Sequence, residues 1–321
     1  MPTSPVSLDP QARKVLDLGR QAHEPPFETG TPEQARRAYE EGFPSLQGER
    51  EPVASVREQT IAGPGGPLNL RVYRGQGAPT ANAPALLYLH GGGWVIGNLD
   101  SHDEICRWYA NIAACVVVSP DYRLAPEHKF PAAVEDCRAV LSFMQDMPGG
   151  LGIDASRIAV AGDSAGGNLA AVLALLARNG KCPPTAQLLF YPNTDAAQTA
   201  DSYRRFAEGF GLTAATMAWF RDHYVRSAAD GADWRVSPLK AESLAGAAPA
   251  FVAIAGHDIL SDEDEAYARR LKMDGVPIVV KHWPGQIHGF VSMGRHGPAS
   301  RQAVEAAVAA WRNFDPAFEG V

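Results

Sequence analysis

The chain has 321 residues, 45% of them hydrophobic and 20% charged, a globular composition that excludes a disordered chain. Its formal net charge is -7, from 36 acidic against 29 basic side chains. That balance excludes nucleic acid as the main partner, because phosphate contacts need a basic face.

Nowhere do about 18 apolar residues run without a charge, so no membrane span is implied. The four cysteines (Cys106, Cys115, Cys137, Cys182) are scattered without CxxC spacing, so reduced thiols are expected rather than a disulfide or a metal site. The opening Met1-Pro2-Thr3-Ser4-Pro5-Val6-Ser7 has no basic segment followed by an apolar run. No secretory signal is read there, and a cytoplasmic location is expected.

Asp9-Pro10 and Thr31-Pro32 each read as an N-cap followed by proline at the first helical position. Pro25-Pro26 and residues 42–52 read as loop. At 53–61 and 68–73 apolar and polar residues alternate around Gly63-Pro64-Gly65-Gly66-Pro67, a β-hairpin pattern. Short apolar runs follow at 85–89, 115–119, 158–161, 187–190, 251–255 and 278–282, as in strands buried on both faces. Helical patterns at 101–113, 131–144, 164–178, 262–273 and 300–311 lie between or after them. The alternation predicts an α/β protein with a mainly parallel sheet and helices on both faces. About sixty residues separate Phe190 from Phe251, far more than a crossover needs. They include a helix at 213–225 capped by Thr213, and they are expected to form a lid over the site.

Ile158-Ala159-Val160-Ala161 runs into Gly162-Asp163-Ser164-Ala165-Gly166 and then an apolar helix. A G-x-S-x-G turn between strand and helix holds a serine on a strained elbow, with glycine where side chains would clash. The helix that follows aims its amides at a developing oxyanion. Ser164 is therefore the expected nucleophile.

Leu89-His90-Gly91-Gly92-Gly93-Trp94 ends a strand in three glycines, whose backbone can approach an oxyanion closely. The expected oxyanion hole is drawn from Gly91, Gly92, Gly93 and Ala165, with Gly92 and Gly93 favoured as donors and Gly91 shaping the bend. No G-K-[ST] or G-x-G-x-x-G follows, which speaks against a phosphate cradle. His90 is expected to hold this loop rather than act as a base.

Chain order in this architecture runs nucleophile, acid, histidine. His288 lies just past the last strand pattern in Gln286-Ile287-His288-Gly289-Phe290 and is the expected general base. Asp258 is the first carboxylate beyond 251–255 and the expected acid, with Asp195 the runner-up. Asp262, Glu263, Asp264 and Glu265 read as helix-start capping and dipole complementation.

Taken together these residues resemble the hormone-sensitive-lipase family of carboxylesterases in its bacterial branch. The resemblance is carried by His90-Gly91-Gly92-Gly93-Trp94, by 121–132 (DYRLAPEHKFPA) and by Gly162-Asp163-Ser164-Ala165-Gly166-Gly167-Asn168. It continues in Ser237-Pro238-Leu239, in 258–263 (DILSDE) and in His288-Gly289-Phe290, and covers about residues 50 to 320. It implies an α/β-hydrolase fold with an eight-stranded, mostly parallel sheet, a helical cap and hydrolysis of short-acyl esters without a cofactor. It also implies homodimers that pair through the last strand. Ile259 stands where family members commonly carry proline, a change to loop shape rather than to chemistry.

The expected division is an N-terminal part of the cap over 1–50, core over 51–194 and 236–321, and a cap insertion over 195–235. Trp94, Phe210, Leu212, Met217 and Phe220 would line the acyl or alcohol pocket; equally, the cap aromatics would only pack the cap. An amidase or acyl transferase would use the same triad, and a non-catalytic receptor could share the fold.

Overall fold

The computed structural model describes residues 7–22, 25–315 and 318. The N-terminal stretch read for a signal lies, apart from Ser7, outside them. Eight strands form one sheet: β1 (Ser55–Gly63), β2 (Gly66–Arg74), β3 (Ala83–Leu89), β4 (Val116–Pro120), β5 (Ile153–Asp163), β6 (Gln187–Phe190), β7 (Ala250–His257) and β8 (Ile278–Ile287). Their spatial order is β1-β2-β4-β3-β5-β6-β7-β8. The β1–β2 and β2–β4 pairs are antiparallel and the other pairs are parallel. This is the expected mostly parallel α/β sheet.

The hairpin turns through Pro64 and Gly65, with Gly63 opposite Gly66. Strand β8 runs five residues past its expected end at His282 and carries Pro284 within it. It lies at the sheet edge, where the missing N–H of proline costs no ladder bond.

Alternate side chains of the inner strands serve two cores. Leu87, Leu89, Val116 and Val118 face the helices Ala132–Asp146, Ala165–Leu176 and Ser261–Met273. Leu86, Tyr88 and Val117 face the helices Asp103–Ile112 and Ala299–Phe314. Period-2 alternation with apolar residues on both faces gives the unbroken apolar runs seen in the sequence.

The N-terminal helix Pro32–Gly42 starts with a Thr31–Gln34 capping box, and in the long insertion Thr213 caps Ala214–Tyr224, as read from the sequence. These two parts of the chain touch: the Thr216 hydroxyl donates to Glu28 at 2.7 Å, and the Phe27 and Phe220 rings lie 6.2 Å apart. Arg36 ties the first part to the core through the Val95 carbonyl at 2.8 Å and the Glu127 carboxylate at 2.6 Å. All four cysteines are free thiols. Among the described residues no helix is long and apolar enough to cross a membrane, and no cluster of three His, Cys, Asp or Glu could hold a metal.

Candidate active site

Ser164 sits between the end of β5 and the helix Ala165–Leu176, at φ 55° and ψ -117°. A non-glycine residue there is strained, and the surroundings show why it stays. A Cβ on Gly166 would stand 1.9 Å from the Leu89 carbonyl, and one on Gly162 would stand 2.4 Å from Gly166. Only glycine at both positions lets the elbow press against β3.

The Ser164 hydroxyl lies 2.9 Å from His288 Nε2. The opposite ring nitrogen, Nδ1, lies 2.6 Å from Asp258 Oδ2. Asp258 is 1% exposed, and its other oxygen accepts the Leu260 amide at 3.0 Å. Three residues far apart in sequence are thus joined in one hydrogen-bond chain at the C-terminal ends of β5, β7 and β8. Asp195, the alternative acid, is held elsewhere by Lys240 at 2.7 Å.

The glycine loop after β3 bends over the same point, with Gly92 at φ 121° and Gly93 at φ 56°. Among the described residues no acceptor takes the amide protons of Gly92, Gly93 or Ala165. Gly91 differs from the expectation that placed it in the oxyanion hole. Its amide donates to Asp163 Oδ1 at 3.1 Å, because the loop is anchored to the elbow through that carboxylate.

Asp163 is itself a feature that the sequence reading passed over as the variable position of the motif. It is buried, accepts from the Tyr88 hydroxyl at 2.8 Å and lies 3.2 Å from His102 Nε2. Burial works to raise its pKa, but His102 and the Tyr88 hydroxyl outweigh that and leave the carboxyl below its ordinary value.

His90 is no base. It stacks on Tyr122 at 4.3 Å, its Nδ1 lies 2.8 Å from the Gly91 carbonyl, and burial with His102 nearby pushes its pKa down to about 3. Tyr122 donates to the His90 carbonyl at 2.7 Å, and Arg123 grips Asp136, so this segment is scaffold under the loop. Tyr191, also missed, packs its ring 4.6 Å from that of His288 and holds the following loop through the Val291 amide at 3.3 Å.

The acidic cluster after Asp258 departs from the capping role expected of it. Asp262 pairs with Arg205, and Glu265 lies 2.5 Å from His282. Glu263 and Asp264 are buried inside the fold. Glu263 Oε1 accepts from the Thr194 amide at 2.6 Å and from Asn193 Nδ2 at 3.2 Å. Burial raises its pKa to about 8. The Asn193 carbonyl in turn accepts from Asn168 of the helix Ala165–Leu176 at 2.8 Å. Nothing in a helix-start run of carboxylates signals which of them the insertion will cover.

Of the expected pocket residues, Trp94 is 2% exposed and stacked on Tyr224 of the insertion at 4.3 Å and 3°. It therefore joins the insertion to the core instead of presenting a pocket wall. Phe210 stacks on His257, the neighbour of Asp258, at 5.3 Å, and Leu212 packs at the edge of the main core. Met217 and Phe220 are buried, and Phe220 covers the glycine loop so closely that a Cβ on Gly93 would lie 2.2 Å from its ring.

The sequence profile of the alpha/beta hydrolase fold matches residues 86–292. The carboxylic ester hydrolase LipN of Mycobacterium tuberculosis is 42% identical over 264 residues, covering 80% of this chain and 70% of that protein. The ethyl acetate hydrolase of Pseudomonas putida is 38% identical over 297 residues, 90% of this chain and 93% of that one. Among solved structures, an ester hydrolase from the metagenome of Lake Arreo, complexed with a derivative of bipyridine phosphonate, matches with a TM-score of 0.91 at 40% identity. That match covers 96% of this chain and 99% of the other.

Proposed function

This chain belongs to the alpha/beta hydrolase fold family and is a carboxylic ester hydrolase, and on that premise we propose a Ser164–His288–Asp258 triad acting on short-acyl esters. His288 Nε2 takes the Ser164 proton as the hydroxyl oxygen attacks the ester carbonyl. Asp258 accepts from Nδ1–H, which fixes the tautomer and stabilises the imidazolium that forms. The amides of Gly92, Gly93 and Ala165 hold the oxyanion of the tetrahedral intermediate. The imidazolium then protonates the departing alkoxide, leaving an acyl-enzyme. Water, deprotonated by His288, attacks that intermediate and restores Ser164.

One observation carries the assignment: the unbroken chain of 2.9 Å and 2.6 Å contacts from Ser164 through His288 to Asp258, beside three amides that find no acceptor among the described residues. A general base must lie within hydrogen-bond reach of the proton it removes, and this geometry meets that requirement.

We also propose that the N-terminal residues to 50 and the insertion 195–235 act together as a cap. Their mutual contacts at Thr216–Glu28 and Phe27–Phe220 support this. Ser164 is only 7% exposed beneath them, and Phe220 lies against Gly93, so acyl room is short. The ethyl acetate activity in the name of the 38% identical relative points the same way.

Turnover of p-nitrophenyl butyrate tests the nucleophile. Ser164→Ala should lower kcat/KM on the order of a thousandfold or more, and unchanged turnover would refute the assignment. A series of p-nitrophenyl esters should give the highest rates from acetyl to butyryl and fall for longer chains.

A further inference from the structure

A second polar cleft lies at the opposite end of the sheet from Ser164. Strand pairing puts Ser55 opposite Arg74 and Arg57 opposite Val72. Because side chains alternate along a strand, all four stand on one face of the β1–β2 ribbon, with the two arginines as diagonal neighbours. Arg74 also pairs with Val116 at the start of β4. The cleft is thus at the N-terminal rim of the parallel strands, whereas the triad is at their C-terminal rim.

The guanidinium groups are fixed but not neutralised. Arg57 donates to the Gly150 carbonyl at 2.9 Å. Arg74 donates to the Leu151 carbonyl at 2.7 Å and to the Pro79 carbonyl. Carbonyl oxygens occupy some donors and cancel no charge. Among the described residues no carboxylate lies within 4.0 Å of either arginine, whereas Arg71, on the opposite face of β2, reaches both Glu58 and Asp100. Burial and the neighbouring Arg57 charge both hold the Arg74 guanidinium below its ordinary value, as expected of two cations lining one space. That space is a cleft of about 300 Å³ to which Ser55 and Thr80 add hydroxyls beside Gly149 and Gly150.

We propose that this cleft binds a small phosphate-bearing anion through Arg57 and Arg74, at a site separate from ester hydrolysis. Two guanidiniums match a group that carries nearly two negative charges and several acceptor oxygens, whereas one carboxylate would leave half the charge uncompensated. The volume is at the lower end of small-molecule sites, which fits inorganic phosphate or a short monoester.

The test is calorimetric titration of the intact protein with inorganic phosphate, glycerol 3-phosphate and acetate at matched ionic strength. The same titrations are run on Arg57→Gln, a change at an exposed side chain, and on Arg57→Lys. The expected results are saturable binding of a phosphate, affinity at least tenfold weaker in Arg57→Gln and partly recovered in Arg57→Lys, and p-nitrophenyl butyrate turnover unchanged in both variants. Tighter binding of glycerol 3-phosphate than of inorganic phosphate would identify a monoester as the ligand, and the reverse order the free anion. The proposal is overturned if neither phosphate binds, if acetate binds equally well, if Arg57→Gln binds like the wild type, or if phosphate competes with the ester.

Discussion

Glu263→Gln isolates one buried proton near the acid arm of the site. The Glu263 carboxyl is 2% exposed and its pKa is raised from 4.5 to about 8, chiefly by burial. The unfolded chain ionises this group near 4.5 while the folded protein keeps it neutral until about 8. The stability it contributes is therefore fully present below 4.5 and is lost progressively as pH rises towards 8. One pKa unit corresponds to about 1.4 kcal/mol, so the span from 4.5 to about 8 sets a ceiling of about 5 kcal/mol. Glutamine keeps an oxygen for the Thr194 and Asp195 amides and cannot ionise. Urea unfolding followed by tryptophan fluorescence at pH 5, 6.5 and 8 reads the difference. The variant should match the wild type within about 1 kcal/mol at pH 5 and exceed it by at least about 2 kcal/mol at pH 8. Asp264 is raised in the same direction, chiefly by burial and in lesser part by Glu263 itself, so most of its effect is common to both proteins and the difference between them is diagnostic. A difference that stays constant from pH 5 to pH 8 would refute a neutral Glu263.

Two further substitutions probe the elbow and its anchor. Gly166→Ala places a Cβ 1.9 Å from the Leu89 carbonyl and 2.6 Å from that of His90, both backbone atoms. Soluble yield and p-nitrophenyl butyrate turnover should both fall, with activity lost on the order of a hundredfold or more, since backbone must move at the nucleophile. Asp163→Asn removes a buried carboxylate that accepts from the Tyr88 hydroxyl and the Gly91 amide, and unfolding at pH 7 should show about 1–3 kcal/mol of lost stability. The loss should shrink as pH falls through the depressed Asp163 pKa, because that carboxyl stabilises only while ionised.

Much of this site was legible because its chemistry constrains local sequence. Gly162 and Gly166 are forced by the 1.9–2.4 Å approaches on either side of Ser164, so the motif is visible without any knowledge of the fold. Asp258 and His288 were expected from the chain order nucleophile, acid, histidine and from their places just past the strand patterns at 251–255 and 278–282. The apolar runs reported the sheet correctly, except that β8 continues through Pro284, since an edge strand tolerates what an inner one does not. What stayed hidden depends on contacts between distant segments. Trp94, expected among the pocket residues, stacks on Tyr224, 130 positions on, which no local pattern signals. Gly91 was grouped with the oxyanion hole as the residue shaping the bend, and the partner that holds this bend, Asp163, lies 72 positions on.

The two buried carboxyls bear on how the proposed triad would be held together. Each of its residues comes from a different strand end, so its alignment depends on ties between loops. Asp163, next to Ser164, binds the elbow to the glycine loop through the Gly91 amide. Glu263, five positions after Asp258, binds the acid arm to the start of the insertion through the Thr194 amide, and Asn193 carries the tie on to Asn168. Their pKa values move in opposite directions, Asp163 downward and Glu263 upward. Acid protonates Asp163 and weakens the first tie, whereas alkali ionises Glu263, whose hydrogen bonds from the Thr194 and Asp195 amides favour the charged form while burial opposes it. The two supports should therefore fail by different routes, on the acid side by weaker hydrogen bonds at the elbow and on the alkaline side by the cost of a charge buried beside Asp258.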